Sequence, residues 1–315
     1  MVREVLWLGA WKSKKLICWL DEFSPSVVFF IGGDSLFAHR IYQYIVKRFK
    51  AKSALYLTDD YIIPRKNASI FTKIRQCLIK KSIKKSLDYS DNFFTISTKM
   101  SKAYYHIFGR KSEIIVNMTN SLKRNNIALD KKNTFVYAGS LYYGRELVLE
   151  KVAHAIKVYN NSHENNKAFL KIYSNSMPSN KMLNMLNKDG ASKFCGSLDY
   201  EQLIVEYNKA SVLVFVESYD TSQIEKTKYS LSTKVPEYLS VGKPILAIGP
   251  RKIGSMEFVK GYALCVYSEK DIDGSVAKLI EDRNLCSNLS EKALRFYSTK
   301  LNKNVLQNQF LSKLF

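Results

Sequence analysis

The sequence predicts an α/β protein of two domains, each a parallel sheet flanked by helices. Its 315 residues, 46% of them apolar, are enough to bury two cores of ordinary size. Short runs rich in Val, Ile, Phe and Tyr alternate with helical patterns along the whole chain, the pattern of repeated βα units. A polar stretch, Asn117 to Asn133, interrupts that alternation once and reads as an interdomain linker.

The first series gives helices over Lys12 to Phe23, Ser35 to Phe49, Ile70 to Leu87 and Lys99 to Phe108. Its strands fall at Val27 to Ile31, Ala54 to Leu57, Phe93 to Ile96 and Glu113 to Val116. The second series restarts with strands at Thr134 to Tyr137, Phe169 to Tyr173, Lys193 to Cys195, Val212 to Phe215, Pro244 to Ala247 and Ala263 to Val266. Helices fit between them, and Ile272 to Glu281, Asn284 to Tyr297 and Asn304 to Leu314 close the chain. The resulting boundaries are 1–117 for the N-terminal domain, 118–133 for the linker and 134–298 for the C-terminal domain. A helix over 299–315 is expected to pack back on the N-terminal domain. Four strands make a thin first domain, and the chain opens on an aromatic helical segment, Trp7 to Trp19, without the strand and glycine turn that begin a Rossmann-like unit. The expectation is a first domain lacking its opening βα unit, with Val5 to Trp19 lying over an open sheet or partly exposed.

A net charge of +21 calls for phosphate-rich partners: nucleic acid, anionic lipid or a diphosphate substrate. Residues 1–130 hold 23 Lys/Arg against 10 Asp/Glu, so the first domain carries more than its share of the excess. Lys73, Arg75, Lys80, Lys81, Lys84 and Lys85 lie on one predicted helix, and its apolar residues Phe71, Ile74, Leu78, Ile79, Ile83 and Leu87 recur at helical spacing. That pattern fits an interfacial helix on an anionic membrane surface; it equally fits a solvated helix covering a core. The aromatic residues follow core periodicity and no basic, aromatic stripe or binding module occurs, so no nucleic-acid partner is expected. No apolar run of about 18 residues occurs, and Met1 to Trp11 carries Arg3 and Glu4 without a cleavage pattern, so neither a membrane span nor a secretory signal is expected. Five isolated cysteines fit a reducing cytoplasm, and no ligand spacing suggests a metal. His39, His106, His154 and His163 lack partners at useful spacing and read as structural.

The most informative segment is Tyr229 to Pro250, Y-S-L-S-T-K-V-P-E-Y-L-S-V-G-K-P-I-L-A-I-G-P. Ser232 or Thr233 can cap a helix, Pro236 fits its first turn, Gly242 ends it, and Pro244 to Ala247 begins a strand. Free N–H groups and the macrodipole at such a helix start favour an anionic group, and Lys234 adds a full charge. One turn on, Glu237 can accept two hydrogen bonds from a cis-diol, as a carboxylate does on a ribose. A capped helix packing Val235, Tyr238 and Leu239 into a core is the plainer alternative; it leaves Lys234 and Glu237 unexplained.

These residues, S-T-K-x-P-E-Y-L-x-x-G-K-P-I-L-A, resemble the donor-binding signature of the retaining GT-B glycosyltransferases of family 4, which include bacterial polysaccharide enzymes. Phe194 to Val214 and Tyr137 to Ile156 are similar to the preceding strand and helix, and to the first strand and phosphate loop of that family's second domain. The resemblance covers most of 134–267 and implies a GT-B fold, two Rossmann-like domains with a cleft between them, here with a short N-terminal one. It implies transfer of a hexose from a nucleoside diphosphate sugar to a hydroxyl of a polysaccharide or lipid-linked oligosaccharide. No cofactor and no metal are expected, and the location is cytoplasmic, peripheral on the inner face of the membrane. A GT-B sugar-nucleotide epimerase and a catalytically weak nucleotide-sugar-binding protein are the alternatives.

By that resemblance Glu237 would hold the ribose hydroxyls, and Lys234 with the backbone of Ser230, Leu231, Ser232 and Thr233 would contact the diphosphate. Gly139 would let the loop approach the ligand beside Ser140, and Arg145 would neutralise the leaving phosphate. The base would lie near Tyr173 to Asn175 and Phe194 to Gly196, Ser174 and Cys195 among them, and be read by backbone groups. The chain departs from the family at two points: Ser140 stands where an arginine often follows the first glycine, and Tyr229 stands where the first of two glutamates would fall. Glu217 or Glu225, on the loop before, are the carboxylates left to substitute. In the first domain L-Y-L-T-D-D-Y, Leu55 to Tyr61, ends a strand on Asp59 and Asp60, either of which could orient the acceptor or accept its proton, or else simply cap the next loop. Gly32, Gly33 and Asp34 form a second candidate at a strand end.

Overall fold

The computed structural model describes residues 4, 6, 7, 9–65, 68–125, 127 and 133–315. They form two compact units, residues 1–116 with 307–315 and residues 117–306.

In the first unit α1 (Lys14–Phe23) is followed by β1 (Val27–Gly32), α2 (Leu36–Phe49), β2 (Lys52–Leu57), α3 (Ile70–Asp88), β3 (Asn92–Thr95), α4 (Thr98–Phe108) and β4 (Glu113–Ile114). The four strands pair in parallel in the order β1-β2-β3-β4. Local signals set the helix ends. Ser13, Ser69 and Ser97 accept from the N–H two or three residues into α1, α3 and α4, and Gly109 closes α4 in the left-handed region. Ala54, Leu55 and Leu57 of β2 are fully buried at the centre of the sheet. β1 is an edge strand, and Phe29 and Ile31 on it stay largely exposed. The end of the last helix belongs to this unit: Phe310 packs edge-on against Phe29 at 4.9 Å and lies 5.5 Å from Phe94, and Lys313 pairs with Glu113 at 2.9 Å. In the opening aromatic segment Trp11 is buried, Trp7 stacks on Phe37 and Trp19 on Phe23, the last two tryptophans remaining exposed.

The second unit runs β5 (Asn133–Ala138), α5 (Arg145–Ser162), β6 (Ala168–Tyr173), α6 (Asn180–Leu186), β7 (Ser192–Gly196), α7 (Tyr200–Lys209), β8 (Val212–Val216), α8 (Thr221–Thr227), α9 (Lys234–Val241), β9 (Ile245–Ile248), α10 (Gly254–Val259), β10 (Leu264–Val266), α11 (Ile272–Glu281), α12 (Arg283–Phe296) and α13 (Lys303–Leu314). From Gln307 onward α13 lies in the first unit. The sheet is wholly parallel in the order β10-β9-β8-β5-β6-β7, so the winding reverses between β5 and β8. Open α/β sheets bind ligands outside the strand ends at such a reversal. Phe135, Leu170, Ile172, Val214 and Leu246 of its strands, with Val152 and Ile156 of α5, are buried in one core.

Most predicted elements match within two residues. The structure adds α8, started by Asp220 accepting from Ser222 and Gln223, in the stretch that the sequence suggests is a loop, and it places α10 between β9 and β10. β4 stops at Ile114 rather than Val116, although Ile115 still donates to Thr95 O. β9 begins after Pro244, whose carbonyl accepts from Leu213 N. Of the expected linker, residues 126 and 128–132 lie outside the described residues. Leu122 N donates to Ser240 Oγ and Arg124 N to Asn208 Oδ1, which holds that part of it along the second unit.

Candidate functional site

Helix α9 begins where the sequence places it. Val235, Tyr238 and Leu239 are buried on its inner side, and Gly242 ends it with φ +73°. Thr233, the residue before the helix, makes no side-chain cap; Ser232 Oγ accepts from Lys234 N at a long 3.4 Å, and Pro236 has no N–H to give. The preceding loop is fixed from α10, with Ser232 N donating to Ser255 Oγ and Gly254 N to Lys228 O, both at 2.9 Å. Gly254 is required there, because a Cβ would sit 2.9 Å from Ser230 O. Tyr238 ties the helix to the end of β5 by accepting from Ala138 N at 3.3 Å. On the outer side Lys234 Nζ donates to Glu237 Oε2 at 3.0 Å.

The loop after β5 is shaped by Tyr137, whose hydroxyl donates to Ser140 O at 2.7 Å. A Cβ on Gly139 would come within 2.9 Å of that hydroxyl, so any larger residue there would have to displace the Tyr137 ring. Gly139 N is spent on Tyr173 O. Tyr143 and Gly144 both adopt the left-handed region, and a side chain at Gly144 would strike Ser218 Oγ. The turn delivers the chain into α5 with no side-chain cap on its first turn, a polarised end that favours an anion. Arg145, the first residue of α5, donates to Glu217 Oε2 at 3.0 Å. Burial pushes the Glu217 carboxyl above its ordinary value, and Arg145 beside it acts in the opposite direction.

Two adjoining cavities open at these strand ends. One of about 400 Å³ is lined by Gly139, Ser140, Tyr173, Ser174, Tyr200 and Lys234 among others. The second, of about 210 Å³, is lined by Gly139, Ser140, Arg145, Ser232, Thr233 and Lys234 with the ends of β5 and β8. Seven of the expected donor-binding residues thus meet: Gly139, Ser140, Arg145, Ser174, Ser232, Thr233 and Lys234. Glu237 lines neither wall and stands behind Lys234 through their ion pair. Ser230 and Leu231 belong to the loop leading in, with Leu231 buried. Cys195 lies on β7 with its residue surface exposed, and it does not line the cavities.

Sequence reasoning did not single out Tyr200, Leu203 or Glu206, and it left Glu217 unplaced. Tyr200 and Leu203 reach the larger cavity from the start of α7, marked in the sequence only by the capping box of Asp199 and Gln202. Tyr173 is oriented by Glu206, which accepts from its hydroxyl at 2.8 Å. Burial raises the Glu206 carboxyl, but hydrogen bonds from Lys171, Tyr173 and Lys209 outweigh it and hold it below its ordinary value. Glu217, left unplaced among the loop carboxylates, lies directly after β8 against Arg145. Glu225 is on α8.

In the first unit Asp60 accepts from Ile62 N and Ile63 N at 3.2 Å and from Tyr104 OH at 3.0 Å, the arrangement of a loop cap. Burial nevertheless raises its pKa. Asp59 beside it is exposed. Asp34 pairs with Arg75 at 2.6 Å, and Gly33 O is bonded to the buried His39 ring. Among the described residues no group of three or more His, Cys, Asp and Glu side chains could hold a metal ion, and no helix is long and apolar enough to cross a membrane.

No family model matches the chain, and no curated protein matches it by sequence. Solved structures match it in fold. A crystal structure of TarM superposes with a TM-score of 0.67 at 12% identity, covering 95% of this chain and 57% of TarM. A glycosyltransferase from Rickettsia africae gives 0.66 at 12% identity, covering 95% of this chain and 78% of its own. Anabaena HepE in complex with UDP-glucose gives 0.62 at 11% identity, covering 92% and 78%. The chain therefore has the GT-B fold of two Rossmann-like units, and it spans little more than half the length of TarM.

Proposed function

We propose that this protein is a glycosyltransferase that takes a sugar from a nucleoside diphosphate sugar held in the second unit. The carrying observation is the convergence on one strand-end pocket, at the reversal between β5 and β8, of Lys234, the start of α9, the uncapped start of α5 and Arg145. Two cationic side chains and two helix N-termini suit a diphosphate, whose charge grows as the sugar–phosphate bond breaks. The larger cavity, walled by Tyr173, Ser174 and Tyr200, then takes the nucleoside, with Glu237 releasing Lys234 to accept from the ribose hydroxyls. HepE was crystallised with UDP-glucose and S. aureus TarM with UDP, which supports a nucleotide ligand for this fold. The family 4 signature carries the finer reading: retention of configuration, and a polysaccharide or lipid-linked glycan as acceptor. Asp59 or Asp60, at the end of β2, would orient the acceptor hydroxyl or accept its proton by the same resemblance.

The test is release of nucleoside diphosphate from radiolabelled nucleotide sugars, with and without a lipid or glycan extract as acceptor. Acceptor-dependent release with label on the extract supports transfer. Conversion of the sugar without acceptor points to an epimerase, and no turnover of any nucleotide sugar removes the proposal.

A further inference from the structure

We propose that the outward face of α3 docks on an anionic lipid bilayer; the inference rests on the transferase reading only for what that membrane would carry. α3 is apolar on two sides. Ile79, Ile83 and Leu87 face the core and are at most 3% exposed, together with buried Gln76 and Ser86. Roughly opposite them stand Ile70, Phe71, Ile74 and Leu78, 46–69% exposed. A helix that merely shields a core turns polar groups to water, and its apolar residues fall on one stripe. Here the row Ile70, Ile74, Leu78, spaced four apart, is a second stripe that the described residues leave largely exposed.

The charge on the same helix identifies the occupant. Lys73, Lys80, Lys81, Lys84 and Lys85 are all exposed, and no acidic residue occurs on α3 before Asp88 at its end. Arg75 is not part of this face, because its guanidinium is bound to Asp34 at 2.6 Å. The outward row therefore passes from apolar side chains to lysines, Lys81 and Lys85 following Leu78 on the same side. A bilayer satisfies both halves at once: Phe71 and the aliphatic residues enter the boundary of the acyl region while lysine stems extend their ammonium groups to anionic headgroups. A second copy of this chain would set five lysines against five, and nucleic acid would leave the apolar row in water.

The test is flotation of the whole chain with phosphatidylcholine vesicles, with and without phosphatidylglycerol. Wild type is expected to float only with phosphatidylglycerol and to be released by salt. Phe71→Ser with Ile74→Ser and Leu78→Ser, and separately Lys80, Lys81, Lys84 and Lys85 all changed to Gln, are each expected to lower the partition coefficient on the order of a hundredfold. These positions are exposed, so both variants should unfold at the wild-type temperature and keep wild-type stabilisation by nucleotide sugars. Absence of flotation, equal flotation with phosphatidylcholine alone, or flotation unchanged in both variants overturns the proposal. So does a wild-type dimer in light scattering that the serine variant makes monomeric. Loss of lipid binding with nucleotide binding intact, or the reverse, shows which of the two readings has failed.

Discussion

Arg145 Nη2 lies 3.0 Å from Glu217 Oε2, and the glutamate is almost wholly buried while the arginine keeps one edge on the smaller cavity. The cation expected to meet the diphosphate is thus already paired, by a carboxylate that the family signature does not include. Glu217 fixes where Arg145 points; the guanidinium's remaining donors are what a phosphate would use.

Removing one partner should therefore cost more than removing both. Arg145→Met leaves a buried carboxylate alone and should destabilise by about 3 kcal/mol, whereas Arg145→Met with Glu217→Gln should recover about 1–3 kcal/mol of the summed single losses. The sign of the pH dependence follows from burial, which raises the Glu217 pKa above the ordinary 4.5. Its contribution to stability is fully present below that value and is lost as pH rises through the folded-state pKa, and Arg145→Met should enlarge the loss. Urea unfolding of the four proteins at several pH values measures this; strictly additive single and double losses would show that the pair is not coupled.

Gly139→Ala should disturb the phosphate loop rather than the core. The added methyl meets Tyr137 Oη at 2.9 Å and must break its hydrogen bond to Ser140 O. Overpacking of this kind costs about 1–3 kcal/mol. Tyr137→Phe in the same chain should recover part of the thermal stability, because the nearest atom is gone. An unchanged melting temperature in Gly139→Ala would mean that the loop yields freely.

His39 should give the first unit an acid-sensitive term. It is buried between Ser86 Oγ, 2.9 Å from Nδ1, and Gly33 O, 3.1 Å from Nε2. Burial lowers its pKa from 6.5, so its contribution is present above that value and is lost as pH falls toward the folded-state pKa. The slope should approach about 1.4 kcal/mol per pH unit in that window. Comparing chemical unfolding of wild type and His39→Gln below pH 6.5 isolates it; parallel pH profiles would contradict the assignment.

Much of the fold was legible because period and punctuation agree. Continuous apolar runs mark the buried parallel strands, and Thr233, Pro236 and Gly242 bound α9. The pocket around Lys234 was legible for the same reason: helix starts carry their chemistry in consecutive residues. What depends on residues far apart in the chain was not. Nothing local to Glu217 points to Arg145, 72 positions away, and nothing local to Tyr200 points to a cavity wall. The sequence also could not separate the two apolar stripes of α3, since helical spacing serves both; only burial divides Ile79 and Ile83 from Ile74 and Leu78. Asp59 and Asp60 look equivalent until backbone donors are seen to converge on Asp60.

The transferase reading turns on Lys234, with Glu237 paired behind it, meeting a nucleoside diphosphate sugar. Thermal unfolding in the presence of UDP-, GDP-, dTDP- and CDP-sugars tests it most directly, with wild type beside Lys234→Ala and Glu237→Ala. At a hundredfold excess over Kd a bound ligand contributes about 2.7 kcal/mol, a rise of roughly 5–10 °C for a domain of this size. At least one sugar nucleotide should raise the wild-type midpoint by that order, and each variant should lose most of the shift while keeping its unliganded midpoint within a few degrees. Failure of every sugar nucleotide to stabilise wild type, or equal shifts in all three proteins, would contradict the account.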